Sequence, residues 1–161
     1  MGGTAFTSTV TQTDTTARFP LGYEVTLPAT RGGAGGVNND TGDEVWVYVK
    51  ASVALAAGDV CSYAAAATTK TVRLVPANTN ACTIVGVAQH AILINAFGFI
   101  QKRGLATVTA DAGGVTINEG LMVGDAPGTA DVAGAVTTVS FGVATVSAAG
   151  AAAVCWIDCR G

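Results

Sequence analysis

Apolar and polar positions alternate along this chain in short runs that recur about every ten to twelve residues, with turn-forming residues between them. In Val45-Trp46-Val47-Tyr48-Val49 the valines fall on one face and Trp46 and Tyr48 on the other. Both faces are apolar, so this strand needs cover on both sides, from a second sheet and from a partner or arm. Ala57-Gly58-Asp59 reads as a turn into a strand at Val60-Cys61-Ser62-Tyr63, and Thr71-Val72-Arg73-Leu74-Val75 as a third strand stopped by Pro76-Ala77-Asn78. Leu105-Ala106-Thr107-Val108-Thr109 alternates cleanly, and Glu119 to Asp125 brings a further turn and strand. No stretch carries an amphipathic helical period. The pattern predicts an all-β barrel or sandwich of short antiparallel strands.

One phrase occurs twice. Val85-Gly86-Val87-Ala88-Gln89-His90-Ala91 leads to Phe99-Ile100-Gln101-Lys102-Arg103-Gly104, and Phe141-Gly142-Val143-Ala144-Thr145-Val146-Ser147 leads to Trp156-Ile157-Asp158-Cys159-Arg160-Gly161. Each copy reads as a strand opened by Gly-Val-Ala, a turn, and a strand with an aromatic residue, an isoleucine and a basic-Gly ending. A duplicated hairpin points to a scaffold of pairing strands.

Residues 1–43 differ from the body at 44–161 and read as an extended N-terminal arm. Thr7, Thr9, Thr11, Thr13 and Thr15 occupy every second position, so an extended strand would turn all five one way, a pattern that suits pairing along a sheet edge. Phe19-Pro20 and Leu27-Pro28 exclude helix and central strand. The glycine-rich run from Arg31 to Asp40 lacks the Lys-Ser/Thr ending and the strand–helix context of a phosphate-binding loop, and reads as a linker. With little core of its own, the arm is expected to order against a partner.

Composition narrows the function classes. Thirty residues are alanine and 21 glycine, while only 12% are charged, against about 25% in an ordinary soluble protein. Such a surface suits a subunit covered by others. The net charge is −3, and Gln101-Lys102-Arg103 is the nearest approach to a basic cluster. It reads as a solvated strand end, so direct nucleic-acid binding is not expected. No signal peptide is visible, and Phe141 to Ile157, 17 residues without a charge, is short and too rich in small residues for a membrane span. Folding in a reducing cytoplasm follows as the expectation.

Chemistry is sparse. Cys61, Cys82, Cys155 and Cys159 lack paired zinc-site spacing and read as small buried hydrophobes, a disulfide to a neighbouring subunit being the sharper alternative. Cys155 and Cys159 share a strand face but are too far apart to bond to each other. His90 is the only histidine and takes the repeat position held by Val146, so a dyad with Cys61 or Cys82 has no local support. Asp59, Asp125 and Asp131 stand at turns, where capping backbone N–H groups is the ordinary role; a surface calcium site at Asp125 to Asp131 is the alternative. No enzyme and no cofactor is expected.

The run Val45 to Lys50, then Leu55-Ala56-Ala57-Gly58-Asp59-Val60, the Val85 to Ala91 phrase and Gly98 to Val108 together resemble the head decoration, or cement, proteins of tailed bacteriophages. The likeness spans about residues 45 to 161. It implies a β-rich structural module, commonly a homotrimer, bound to the major capsid protein on the capsid exterior, with no catalytic residues. Such a protein would be assembled in the host cytoplasm and would resist the outward push of packed DNA by bridging capsid subunits. Another virion component, a head fibre base or tail protein, and a glycan-binding host-attachment module are the rival readings. The residues expected at the capsid or subunit interface are Thr7, Thr9, Thr11, Thr13 and Thr15 through edge pairing, with Trp46, Tyr48, Phe97 and Phe99 as apolar contacts, core packing being the competing role of these four.

Overall fold

The computed structural model describes residues 10–28, 42–64, 70–78, 83–133 and 140–160. Eleven strands are formed there: β1 (Thr13–Asp14), β2 (Glu24–Leu27), β3 (Glu44–Ala51), β4 (Val60–Tyr63), β5 (Thr71–Leu74), β6 (Ile84–Val87), β7 (Phe97–Thr109), β8 (Leu121–Val123), β9 (Ala130–Val132), β10 (Gly142–Ala144) and β11 (Ala152–Asp158). Among the described residues there is no α-helix.

Strands β3, β5, β4, β6 and β7 close on themselves through the β7–β3 pairing, making a five-stranded barrel. The barrel is mixed where the sequence suggested antiparallel pairing throughout, because β3 and β5 run parallel, with Lys50 opposite Thr71 and Ala51 opposite Val72. A parallel neighbour requires a crossover, and the chain makes it through β4, which pairs antiparallel with both β5 and β6. All five barrel strands send branched or small side chains inward, among them Val49, Cys61, Val72, Val85 and Ile100, and these form one buried cluster.

β7, at 13 residues, is too long to belong to the barrel alone. Its first half pairs with β3, from Lys50 opposite Phe97 to Val45 opposite Arg103. Its second half pairs with β11, from Arg103 opposite Asp158 to Thr109 opposite Ala152, and β11 then pairs with β10. The change of partner takes place at a bulge: Val45 stands opposite Arg103 and Trp46 opposite Gln101, so Lys102 is the extra residue. Two residues on, Gly104 has φ +109°, where a Cβ would lie 3.2 Å from the Asp43 carbonyl oxygen and from the Glu44 Cα. Buried Gln101 reaches across the bend and donates from Nε2 to the carbonyls of Arg103 (3.2 Å) and Leu105 (3.0 Å). The amide gives those two carbonyls a hydrogen-bond partner at the bend.

Beyond the bend, Ala106 and Val108 of β7, with Ala110 just past its end, pack with Cys155 and Ile157 of β11 and with Val60 and Val87 on the outside of the barrel. The small β8–β9 ribbon closes the same core, joined to β10 by a bridge between Gly120 and Val143. A third cluster lies on the other outer wall. There residues 10–28 place Val10, Phe19, Leu21, Val25 and Leu27 over Trp46, Tyr48 and Phe99.

The sequence repeat is a structural repeat. β6–β7 and β10–β11 are both antiparallel pairs, but Val87 stands opposite Gln101 whereas Val143 stands opposite Trp156, the counterpart of Phe99. The two hairpins thus differ in register by two residues, a shift that leaves every side chain on its own face. The repeated glycine has a steric cause: a Cβ on Gly86 would sit 2.6 Å from the Gln101 carbonyl oxygen, and one on Gly142 would strike the Trp156 carbonyl.

Replacing Gln101 with Leu keeps the bulk of the side chain and strands two carbonyls at the bend. Urea unfolding of Gln101→Leu is expected to show a loss of about 2 kcal/mol. A variant as stable as the parent would mean that the bend holds without the amide.

Candidate functional site

The residues expected to lie at an interface separate into three groups. Thr7 and Thr9 lie outside the described residues. Thr11, Thr13 and Thr15 are exposed, but only Thr13 and Asp14 are in a strand, and they pair with Gly98 and Phe97 of the chain's own β7. Thr13 Oγ1 also donates to the Ala91 carbonyl at 2.8 Å. Trp46, Tyr48 and Phe99 are buried, and Phe97 is half-buried with the Lys50 ammonium 5.8 Å from its ring centre. Their apolar contacts are therefore with residues 10–28 of the same chain.

That contact is built from aromatic edges and one buried phenol. Phe19 stacks on Tyr23 at 5.5 Å between ring centres and meets Tyr48 and Phe99 edge-on at 5.3 and 5.4 Å. Tyr48 donates to Asp14 Oδ2 and accepts the Arg18 backbone N–H, both at 3.1 Å. Burial, more than any other influence, raises the Tyr48 pKa above its ordinary value. The Arg18–Asp14 ion pair, 3.5 Å long with its arginine largely in solvent, is worth no more than about 1 kcal/mol. Each aromatic pair contributes about 0.5 to 1.5 kcal/mol beyond its burial, and Phe19 makes three, so the rings and the phenol hold the segment down. Lys102 adds an ion pair to Glu24 at 2.8 Å, tying β2 to the bulge.

His90 lies beneath β1. Neither ring nitrogen has a hydrogen-bond partner, and Nε2 is 3.3 Å from where a Gly98 Cβ would be. Burial lowers its pKa, with the neighbouring Gln12 backbone pulling the other way. Cys61, Cys155 and Cys159 are free and buried. Burial raises the thiol of Cys155 to about 11 and that of Cys159 to about 12, and raises Cys61 further, with the Asp59 carboxylate adding to the effect. Thiols held protonated are poor nucleophiles. Cys82 lies outside the described residues.

The acidic turns are organised around Asp111, which sequence reasoning did not single out. Its Oδ1 accepts the N–H groups of Gly113 (2.8 Å) and Gly114 (3.0 Å), and its Oδ2 accepts that of Asp125 (2.8 Å). Asp131 Oδ1 accepts the Val132 N–H. These carboxylates stitch turns together. Among the described residues no group of three or more His, Cys, Asp or Glu side chains is placed to hold a metal ion.

The exposed apolar side chains offer contact to a partner. Leu93 and Ile94 are 67% and 58% exposed at the tip of the loop between β6 and β7. Their turn is closed by Ala96 N–H to Leu93 C=O at 3.0 Å and clamped to the end of β3 by Asn95 N–H to Ala51 C=O at 2.8 Å. Asn95, with φ +65°, supplies the left-handed residue such a turn needs. The second exposed set, Val143, Val154 and Trp156, lies on β10 and β11. The Ala91-Ile92-Leu93-Ile94 run inside a hairpin loop was the sequence signal for the first set, since loop tips are ordinarily polar.

No family model matches the chain, and no curated protein matches it. Among solved structures, its fold is similar to that in "The crystal structure of head fiber gp8.5 N base in bacteriophage phi29", with a TM-score of 0.55, 19% identity, and coverage of 73% of this chain and 96% of that one.

Lowering the pH tests the His90 environment. A histidine whose folded pKa lies below its unfolded value of about 6.5 binds protons more readily when unfolded, so its neutral form favours folding above that pH and this advantage disappears as pH falls below it. The melting temperature is expected to drop between pH 7.5 and 5 by more in the parent than in His90→Gln (pH range set by the reference pKa of about 6.5). Parallel curves would show that burial of this ring does not oppose its protonation.

Proposed function

We propose that this chain is a non-catalytic structural protein of a phage virion, bound to the outside of the head through the major capsid protein in the manner of a head fibre base. The likeness to the phi29 head fibre base carries this reading, because it takes in nearly the whole of that chain. The composition supports it too: a surface with 12% charged residues suits permanent assembly better than free solution. The buried, protonated cysteines and the carboxylates engaged with backbone N–H groups fit a scaffold.

The clamped Leu93–Ile94 turn is the part best suited to enter an apolar recess on the capsid. It is held by backbone hydrogen bonds before contact, which lowers the ordering entropy lost on docking. β1 lies at the same end of the molecule, linked to this loop through the Thr13–Ala91 hydrogen bond. A cement role, in which the protein spans neighbouring capsid subunits as a homotrimer, is the second reading. It is favoured by the sequence resemblance and differs from a fibre base in what the heads gain.

Binding to heads purified without the protein tests both readings. Saturable binding with density on the outer surface is expected, weakened about tenfold or more in Leu93→Asp/Ile94→Asp. Heads that resist disruption only when decorated would favour cement, and heads equally robust without it would favour a base. A protein that ignores heads and binds tails or glycans would overturn both. Truncation belongs at residues 1–9, because removing 1–43 would strip Phe19, Leu21 and Leu27 from the aromatic cluster.

A further inference from the structure

Among the described residues, the outward-facing side chains of β7 are covered at one end and only partly covered past the bend. Residues 10–28 lie over the Phe97–Phe99 end. Past the bend, Leu105 and Thr107 are half-buried, and beside them on β11 and β10 stand Trp156 at 40% exposure, Val154 at 39% and Val143 at 45%. Strand register places these on one side: Val143 is opposite Trp156, Trp156 opposite Leu105, and Val154 opposite Thr107. An apolar ladder therefore crosses three strands, while the opposite face of the same sheet is filled by Cys155, Ile157, Ala106 and Val108. The ladder ends at Asp158, which stands opposite Arg103, both exposed.

We propose that this face is a self-association surface, and that its occupant is a second copy of the chain. The charges at its edge are the reason. Arg103 and Asp158 put both signs at one end of an apolar centre, so a copy turned about an axis through that end brings each arginine toward the other copy's aspartate. That is the self-complementarity a symmetric contact requires. A partner of single charge sign would meet one attraction and one repulsion there. The ladder supplies an apolar centre with a tryptophan anchor, and the ion pair lies at the rim. This inference does not rest on the capsid reading.

The test is sedimentation velocity of the full chain without heads, over a wide concentration range. The parent is expected to self-associate reversibly. Trp156→Glu and, separately, Val154→Lys are expected to raise the dissociation constant about tenfold or more with far-UV circular dichroism and melting temperature unchanged. Arg103→Glu and Asp158→Arg are each expected to weaken association alone and to form a mixed oligomer when combined, since one then presents only acidic groups at the rim and the other only basic ones. A parent that stays monomeric, or an oligomer indifferent to all four substitutions, overturns the proposal. A monomeric parent whose Trp156→Glu form no longer binds heads would assign the face to the capsid and likewise overturn it. An oligomer that ignores heads would uphold it while removing the capsid reading.

Discussion

The bend in β7, held by the Gln101 side chain, is the constraint on which the rest of the molecule depends. One strand serves as a stave of the barrel in its first half and as the root of a second sheet in its other half. That requires a change of direction without loss of backbone hydrogen bonds. The bulge at Lys102 supplies the extra residue, Gly104 a positive φ that other residues rarely adopt, and Gln101 two N–H bonds to the carbonyls of Arg103 and Leu105. Without them β7 would run straight, and Ala106, Val108 and β11 could not lie back against Val60 and Val87.

The same bend sets which surfaces are inside. Before it, Ile100 of β7 fills the barrel while Phe97 and Phe99 meet residues 10–28; after it, Ala106 and Val108 fill the second core while Leu105 and Thr107 are only half-buried. Tyr48 gives the arm contact its geometry. Its phenol, buried at the centre of the aromatic group, uses its donor on Asp14 and its acceptor on the Arg18 N–H, so the segment is held in one register where ring packing alone would let it slide.

Strand positions were legible because a two-residue period survives in sequence wherever one face is buried. Val45 to Val49, Val60 to Tyr63, Thr71 to Leu74 and the duplicated hairpin all formed strands where the pattern placed them. The two apolar faces of β3 also signalled cover on both sides. What covers the outer face was not legible: a free partner and the chain's own residues 10–28 offer the same side chains to Trp46 and Tyr48, and only the fold brings Phe19 above them. The parallel β3–β5 pair was hidden for a related reason, since strand direction is a property of connections and leaves no mark on alternation. Asp111 escaped notice because a carboxylate that accepts three N–H groups from two loops looks, in sequence, like any aspartate before a glycine turn.

Low charge gives these surfaces their meaning. On a protein rich in lysine and glutamate, an exposed Trp156 or Leu93 would be one apolar spot among many solvating groups, and such spots are ordinary. Here charged side chains are few, so little repulsion opposes contact and the geometry of the apolar groups decides where contact forms. The two exposed sets differ in kind. Leu93 and Ile94 project from a hydrogen-bonded turn and suit insertion into a recess, whereas Val143, Trp156 and Leu105 lie flat on a sheet and suit a matching sheet. A scaffold with a projecting tip at one place and a flat self-complementary face at another can dock and associate at once, without either contact displacing the segment that closes its aromatic core.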